Sequence, residues 1–297
     1  MAHKLIDKNS NGRHSEDMKV AAINDLSGFG KCSLIADIAV LSSMGVEVNP
    51  VPTALFTAQT GFPSFYMHDT KDMVRHCTDE WKKMEAEFDG ILTGYIPYER
   101  EADYVFEFVQ HFNKKGTVLL VDPVMGDGGE CYSNYSDGLL SRIKKMVSIA
   151  DIITPNLTEL CILAGVDAEQ VVRDTAKGNH LKKIENIANK VRADDKQSVV
   201  VTGIFSEGDK LCNLVVHEGG TEMVECSYNG RSYSGTGDLF AASLLGNVLN
   251  GKSITDAVFA TTEFINKAIS VTKEEDGKYG TGFEKALMDS HFWTDIK

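Results

Sequence analysis

The chain has 297 residues, with 30 Lys and Arg against 43 Asp and Glu, a formal net charge of −13 and 42% hydrophobic residues. That balance excludes a nucleic-acid backbone or an anionic membrane as the main partner, because clustered basic side chains supply most of the affinity for either. Six cysteines without a C-x-x-C pair are spread along the whole length, which fits reduced thiols in a cytoplasmic protein better than a disulfide frame or zinc site, and no stretch approaches the apolar length of a membrane span.

In chain order, Met1 to Asp17 is polar and reads as a disordered leader. Lys19 to Ile23 reads as a buried strand, followed by the loop Asn24-Asp25-Leu26-Ser27-Gly28-Phe29-Gly30 and a helix from about Ser33 to Met44 that stops at Gly45. Val46 to Val51 is a second strand, Thr53 to Gly61 a polar loop and Asp69 to Glu87 a charged amphipathic helix. Gly90 to Thr93 (strand), Glu99 to Lys115 (helix) and Thr117 to Val121 (strand) follow, the last ending at Asp122-Pro123. The glycine-rich, aperiodic stretch Val124 to Tyr132 is a flap candidate. Asp137 to Val147 reads as a helix, Ala150 to Ile153 as a strand, Leu157 to Ala164 as a helix and Val199 to Val201 as a strand closing on Thr202-Gly203. Leu211 to Val216 and Glu222 to Cys226 form an antiparallel pair turned at His217 to Gly220. Helices over Ile254 to about Val271 and Glu284 to Met288 complete the chain.

Alternating strands and helices predict an α/β, doubly wound and mostly parallel sheet with helices on both faces, as one domain over residues 18–297. Ligands bind such sheets at the carboxyl ends of the strands. Asn24-Asp25, Gly94-Tyr95, Asp122, Thr154 with Asn156, and Thr202-Gly203 all fall there.

The central stretch is Ser232 to Asn250, in which Gly235-Thr236-Gly237-Asp238 opens an amphipathic helix. Two glycines leave the backbone open to a ligand, and the unpaired N–H groups of a first helical turn suit a phosphate. Asp238 can cap the helix; it can also take a proton from an attacking hydroxyl while the N–H groups hold a phosphoryl group. Asn156-Leu-Thr-Glu159 has the spacing of a capping box, and Glu159 with Asp122 provides two carboxylates for a hydrated Mg2+. Tyr95 can pack in the core or stack on a flat substrate, and Asp25 and Ser27 can close a turn or bind a ligand. Gly246 to Ser253 matches G-x-x-x-x-G-K-[ST], but it follows a helical rather than a strand pattern; Gly251 reads as a helix stop and Ser253 as the next N-cap.

From about Lys19 onward, four motifs in order, Leu92-Thr-Gly-Tyr95, Val121-Asp-Pro-Val-Met-Gly-Asp127, Ile153-Thr-Pro-Asn-Leu-Thr-Glu159 and Gly235-Thr-Gly-Asp238, resemble the ribokinase superfamily in its branch of vitamin B6 kinases and hydroxymethylpyrimidine kinases. The resemblance implies transfer of the ATP γ-phosphoryl group to a hydroxymethyl group on a heteroaromatic ring, in a homodimer. Asp238 and the Gly94-Tyr95 pair look like the B6 enzymes, since the pyrimidine kinases typically carry Cys after Gly-Thr-Gly. Asp25-Leu-Ser27-Gly-Phe-Gly30 looks nearer the pyrimidine kinases. Carried over, Asp238 is the base and Gly235, Thr236 and Gly237 line the anion hole; Asn156, Thr202, Gly203, Thr236 and Gly237 contact ATP. Asp25, Thr60, Tyr95 and Asp238 hold the B6 vitamer, while Asp122, Thr154 and Glu159 organise Mg2+ and a monovalent cation such as K+. A catalytically silent nucleotide-binding regulator is the reading from another class.

Overall fold

The computed structural model describes residues 18–70, 72–175, 181–205, 210–273 and 279–288. Its frame is a nine-stranded sheet in the order β11-β10-β9-β8-β5-β4-β1-β2-β3. The six inner strands, β9 (Ser198–Phe205), β8 (Ile152–Ile153), β5 (Val118–Val121), β4 (Gly90–Thr93), β1 (Lys19–Ser27) and β2 (Glu47–Phe56), pair in parallel. Antiparallel strands finish both edges: β3 (Met67–Asp69) beside β2, and β10 (Leu211–His217) with β11 (Gly220–Cys226) beyond β9.

Consecutive strand residues point to opposite faces, so a sheet covered on both sides needs apolar residues in unbroken runs. Ala21, Ile91, Leu119, Ile153 and Val199 face one cluster, packed under α2 (Met73–Lys83), α3 (Glu99–Phe112), α4 (Asp137–Val147), α5 (Leu157–Ala164), α6 (Ala168–Thr175) and α7 (Leu181–Val191). Val20, Leu92, Leu120, Ile152 and Val200 face the other, under α1 (Ser33–Ser43), α8 (Thr236–Leu249), α9 (Ile254–Ser270) and α10 (Phe283–Leu287). Helix α8 is buried along its whole middle, Leu239 to Asn247, which accounts for its Ala- and Leu-rich sequence.

The doubly wound expectation is met; its boundaries need corrections. Strand β1 continues through Asn24 to Ser27, which read as loop, and β2 continues through Thr53 to Phe56 despite Pro50 and Pro52. Both prolines sit two apart on a strand whose far side is paired only at Ala54–Phe56, so their missing N–H groups interrupt no ladder. Asp69 ends β3 rather than starting a helix, and α2 begins at Met73. The flap candidate contains a small hairpin, β6 (Gly126–Asp127) with β7 (Glu130–Cys131). Helices α6 and α7 had no counterpart in the sequence reading. The expected leader lies outside the described residues. The G-x-x-x-x-G-K-S match is no phosphate loop: α8 runs to Leu249, Gly251 has φ +88°, and the Ser253 hydroxyl accepts from Asp256 N at 3.2 Å as the cap of α9. All six cysteines are free, and among the described residues no helix is long and apolar enough to cross a membrane.

One buried side chain ties the crossovers together. Gln197, just before β9, is 2% exposed; its Nε2 donates to Val147 O at 2.6 Å and Ala150 O at 2.8 Å, and its Oε1 accepts from Ala193 N at 2.8 Å. Gln197→Ala takes the side-chain donor from two buried carbonyls and the acceptor from the N–H of exposed Ala193, and is expected to cost about 1–3 kcal/mol, read as a lower urea midpoint with unchanged slope. A loss under about 0.5 kcal/mol would show that the three backbone groups find other partners.

Candidate active site

Because the inner strands run in one direction, their carboxyl ends line one rim. The chain leaves β1 for β2 on one side and reaches β4 on the other, so the crevice of the topological switch lies at the end of β1. The β1–β2 register shifts between Asn24 and Leu26, a bulge that re-aims these side chains. Asn24 spans the crevice. Its Oδ1 accepts from Tyr95 N at 2.9 Å and Asp25 N at 3.0 Å, and its Nδ2 donates to Asp238 Oδ1 at 3.1 Å and to Asp37 Oδ2 at 3.0 Å. A side chain at residue 94 would collide with that amide, which is why Gly94 follows β4.

Asp238 lies in the first turn of α8. Gly235, the N-cap, has φ +77°, and a Cβ there would strike Lys31 O, so both conformation and space demand glycine. The Thr236 hydroxyl donates to Tyr233 O at 3.1 Å, and the Thr236 and Gly237 N–H groups are first-turn donors with no acceptor inside the helix. Burial raises the Asp238 pKa, opposed by the Ser33 N–H and the Asn24 amide. Ser33 makes these contacts from a φ of +52°, which costs a non-glycine residue about 1 kcal/mol. Its hydroxyl also donates to Asp25 Oδ1 at 2.6 Å, while Ser27 donates to Asp25 Oδ2 at 3.0 Å. Even so, burial, joined by repulsion from Asp238, pushes the Asp25 carboxyl up to about 6.

On the next strands, Asp122 and Glu159 are both buried. Thr154 Oγ1 donates to Asp122 Oδ1 at 3.0 Å, and a Cβ on Gly237 would stand 3.8 Å from Asp122 Oδ2, so this carboxyl faces the start of α8. Burial and then Asp238 push Asp122 up to about 7, and burial with repulsion from Asp122 holds Glu159 well above the carboxylate range. Glu159 is engaged by the backbone: Oε1 accepts from Met125 N at 3.0 Å and Oε2 from Asn156 N at 2.8 Å, the second closing the capping box. Asn156 in turn accepts from Glu159 N at 2.9 Å and donates to Gly126 O at 2.8 Å, so both residues also anchor the flap. Thr202 bridges to Asn156, and Gly203 (φ +66°) donates its N–H to Asn213 Oδ1 at 3.1 Å. Among the described residues no group of three or more His, Cys, Asp and Glu forms a metal cage. Two buried carboxyls raised by desolvation and neighbouring negative charge nevertheless fit a cation, which restores their charged form, and magnesium needs only one or two such ligands.

Tyr95 is half-buried; its Oη accepts from Asn134 Nδ2 at 2.9 Å and its ring centroid lies 6.3 Å from that of Phe56. Thr60 is exposed. The buried residue of its loop is Gln59, whose N–H donates to Phe29 O at 2.8 Å. The structure thus gathers Asp25, Tyr95, Asp122, Thr154, Asn156, Glu159, Thr202 and Asp238 on one rim. The sequence places Asn24 at a strand end without assigning it a role, and it does not single out Ser33 or Asp37. Asp37 carried a signal: it stands between Leu34 and Leu41 on the buried stripe of α1, where a carboxylate is out of place.

A sheet of this order with an acidic helix start at its carboxyl rim defines the ribokinase-like class of small-molecule kinases. The chain belongs to the phosphomethylpyrimidine kinase family, which matches residues 30–283. It is similar to the hydroxymethylpyrimidine/phosphomethylpyrimidine kinase of Aquifex aeolicus (26% identity, 92% of this chain and 98% of the relative) and to the pyridoxal kinase PdxY of Corynebacterium diphtheriae (27%, 88% and 92%). Among solved structures, a Bacteroides thetaiotaomicron protein assigned to the phosphomethylpyrimidine kinases and crystallised with pyridoxal superposes with TM-score 0.83 at 32% identity, covering 92% of this chain and 95% of that one. The pyridoxal kinase of Lactobacillus plantarum shares the fold at TM-score 0.80 and 24% identity, covering 92% and 95%.

The Asp25 shift has a signed consequence. Its folded-state pKa of about 6 exceeds the ordinary 3.8, so the native state holds the proton more tightly and stability falls as pH rises from about 4 to about 6. Asp25→Asn lacks that slope. Its stability relative to wild type is expected to increase across the same window by about 2–3 kcal/mol and then level off, measured by urea unfolding at several pH values. A flat difference would rule out the raised carboxyl.

Proposed function

We propose that this protein is an ATP-dependent kinase that phosphorylates the hydroxymethyl group of pyridoxal, pyridoxine or pyridoxamine. The observation that carries the reading is the Asp238 carboxylate at the open N-terminus of α8, facing Asp122 across Gly237. In this reading Asp238 removes the proton as the substrate oxygen attacks the γ-phosphorus in line, and the N–H groups of Gly235 to Asp238 receive the developing charge. Asp122 and Thr154, backed by Glu159, would hold Mg2+, with K+ a further candidate there; the metal supplies charge neutralisation on the phosphates. The rim from Asn156 to Thr202 and Gly203 takes ATP, and the β6–β7 hairpin excludes water from the transfer. Asp25 and the Tyr95 ring hold the vitamer.

Three features favour a B6 vitamer: Asp rather than Cys after Gly-Thr-Gly, the aromatic wall of Tyr95 and Phe56, and pyridoxal in the crystals of the Bacteroides relative. The Aquifex relative and the Asp25 loop favour hydroxymethylpyrimidine as the second reading. A silent regulator of the same fold would have no use for the Asp238 carboxylate.

The test is Mg2+- and ATP-dependent phosphorylation of the three vitamers and hydroxymethylpyrimidine, side by side. A B6 vitamer is expected to have the highest kcat/KM, with Asp238→Asn lowering kcat by about 10²-fold or more. Preference for the pyrimidine selects the second reading, and no turnover of any of the four removes both. Lys252→Ala, at the discounted phosphate-loop match, is expected to stay near wild type; severe loss of ATP turnover there would reinstate the match.

A further inference from the structure

Asp37 is fully buried on α1, and its two carboxyl oxygens are treated differently. Oδ2 accepts from Asn24 Nδ2 at 3.0 Å, while Oδ1 has no hydrogen-bond partner among the described residues. A buried polar atom left without a partner costs about 1–3 kcal/mol. Stability does not account for this carboxyl.

Its neighbour does. The orientation of the Asn24 amide is set by two backbone N–H groups, of Asp25 and Tyr95, which can only donate and therefore fix the oxygen end. The nitrogen must then face the acids, one hydrogen toward Asp37 and one toward Asp238. All four hydrogen-bonding positions of the amide are filled, so losing the acceptor at Asp37 frees it to tilt and Asp238 loses its fixed donor. Burial, with repulsion from Asp238, also raises the Asp37 pKa well above its ordinary value.

We infer that Asn24 and Asp37 are a pair of positioning residues that hold the Asp238 carboxylate in line for proton removal, Asp37 acting only through the Asn24 amide. The inference rests on the proposed role of Asp238 as the base. It predicts a separation of activity from stability that a packing residue would not give.

In the MgATP assay, with pyridoxal and hydroxymethylpyrimidine each as acceptor, Asp37→Leu is expected to lower kcat about tenfold or more, leave both KM values within about threefold, and lower the melting temperature by no more than a few degrees, since one Asn24 amide hydrogen loses its acceptor. Asp37→Asn, whose carbonyl oxygen can take the same hydrogen, restores most of that loss. Added to Asp238→Asn, Asp37→Leu costs little more, because the group it positions is already gone. Wild-type kcat in a folded Asp37→Leu protein overturns the inference, as does a lowered melting temperature with kcat per folded molecule intact, or an equal further loss in the Asp238→Asn background. If Asp37→Leu does not fold, Asp37→Ser, too short to reach Asn24, is judged by the same kinetic outcomes. The two readings fail separately: an active Asp238→Asn removes the base itself, whereas an impaired Asp238→Asn beside an unimpaired Asp37→Leu removes only the positioning pair.

Discussion

The constraint on which this molecule turns is the burial of acidic side chains. Asp25, Asp37, Asp122, Glu159 and Asp238 meet at the carboxyl rim of the sheet, and the hydrogen bonds that hold them come from neutral groups: Asn24, Ser27, Ser33, Thr154 and backbone N–H. Desolvation without a counter-charge raises each pKa. The fold therefore stores unfavourable electrostatics that a bound cation would relieve. The surrounding apolar clusters supply the stability that lets the arrangement persist.

Much of this was readable in the sequence wherever a local rule applied. Gly-Thr-Gly-Asp followed by an apolar helix gave the start of α8, and Asn156 with Glu159 gave the cap of α5, because caps depend on residues three or four apart. The extent of β1 and β2 was hidden for a physical reason. Asn24, Asp25 and the two prolines have poor strand propensity, and only pairing with neighbours far along the chain keeps them extended. Helix α7 was readable and missed: Ile184, Ile187 and Ala188 mark its buried stripe inside a charged segment.

The site divides in the same way. The residue types at the strand ends could be listed from sequence, but their connections could not. The contact between Asn24 and Asp238 joins positions 214 apart, and the role of Gly94 becomes visible only when a Cβ is found to collide with the Asn24 amide. For Glu159 the structure changed the emphasis. Its oxygens are occupied by the flap stem and the cap, so it ties the hairpin to the start of α5.

The two walls of the crevice differ in how deeply they are rooted. Helix α8 is packed between the sheet and its neighbouring helices α1 and α9, with Leu239 to Asn247 buried. The β6–β7 hairpin has exposed residues at Asp127, Glu130 and Cys131, and its ladder is two residues long on each side. Opening there costs a small local free energy. The acid at the start of α8 therefore sits on the deeply packed wall, and the hairpin is the wall that local opening reaches first.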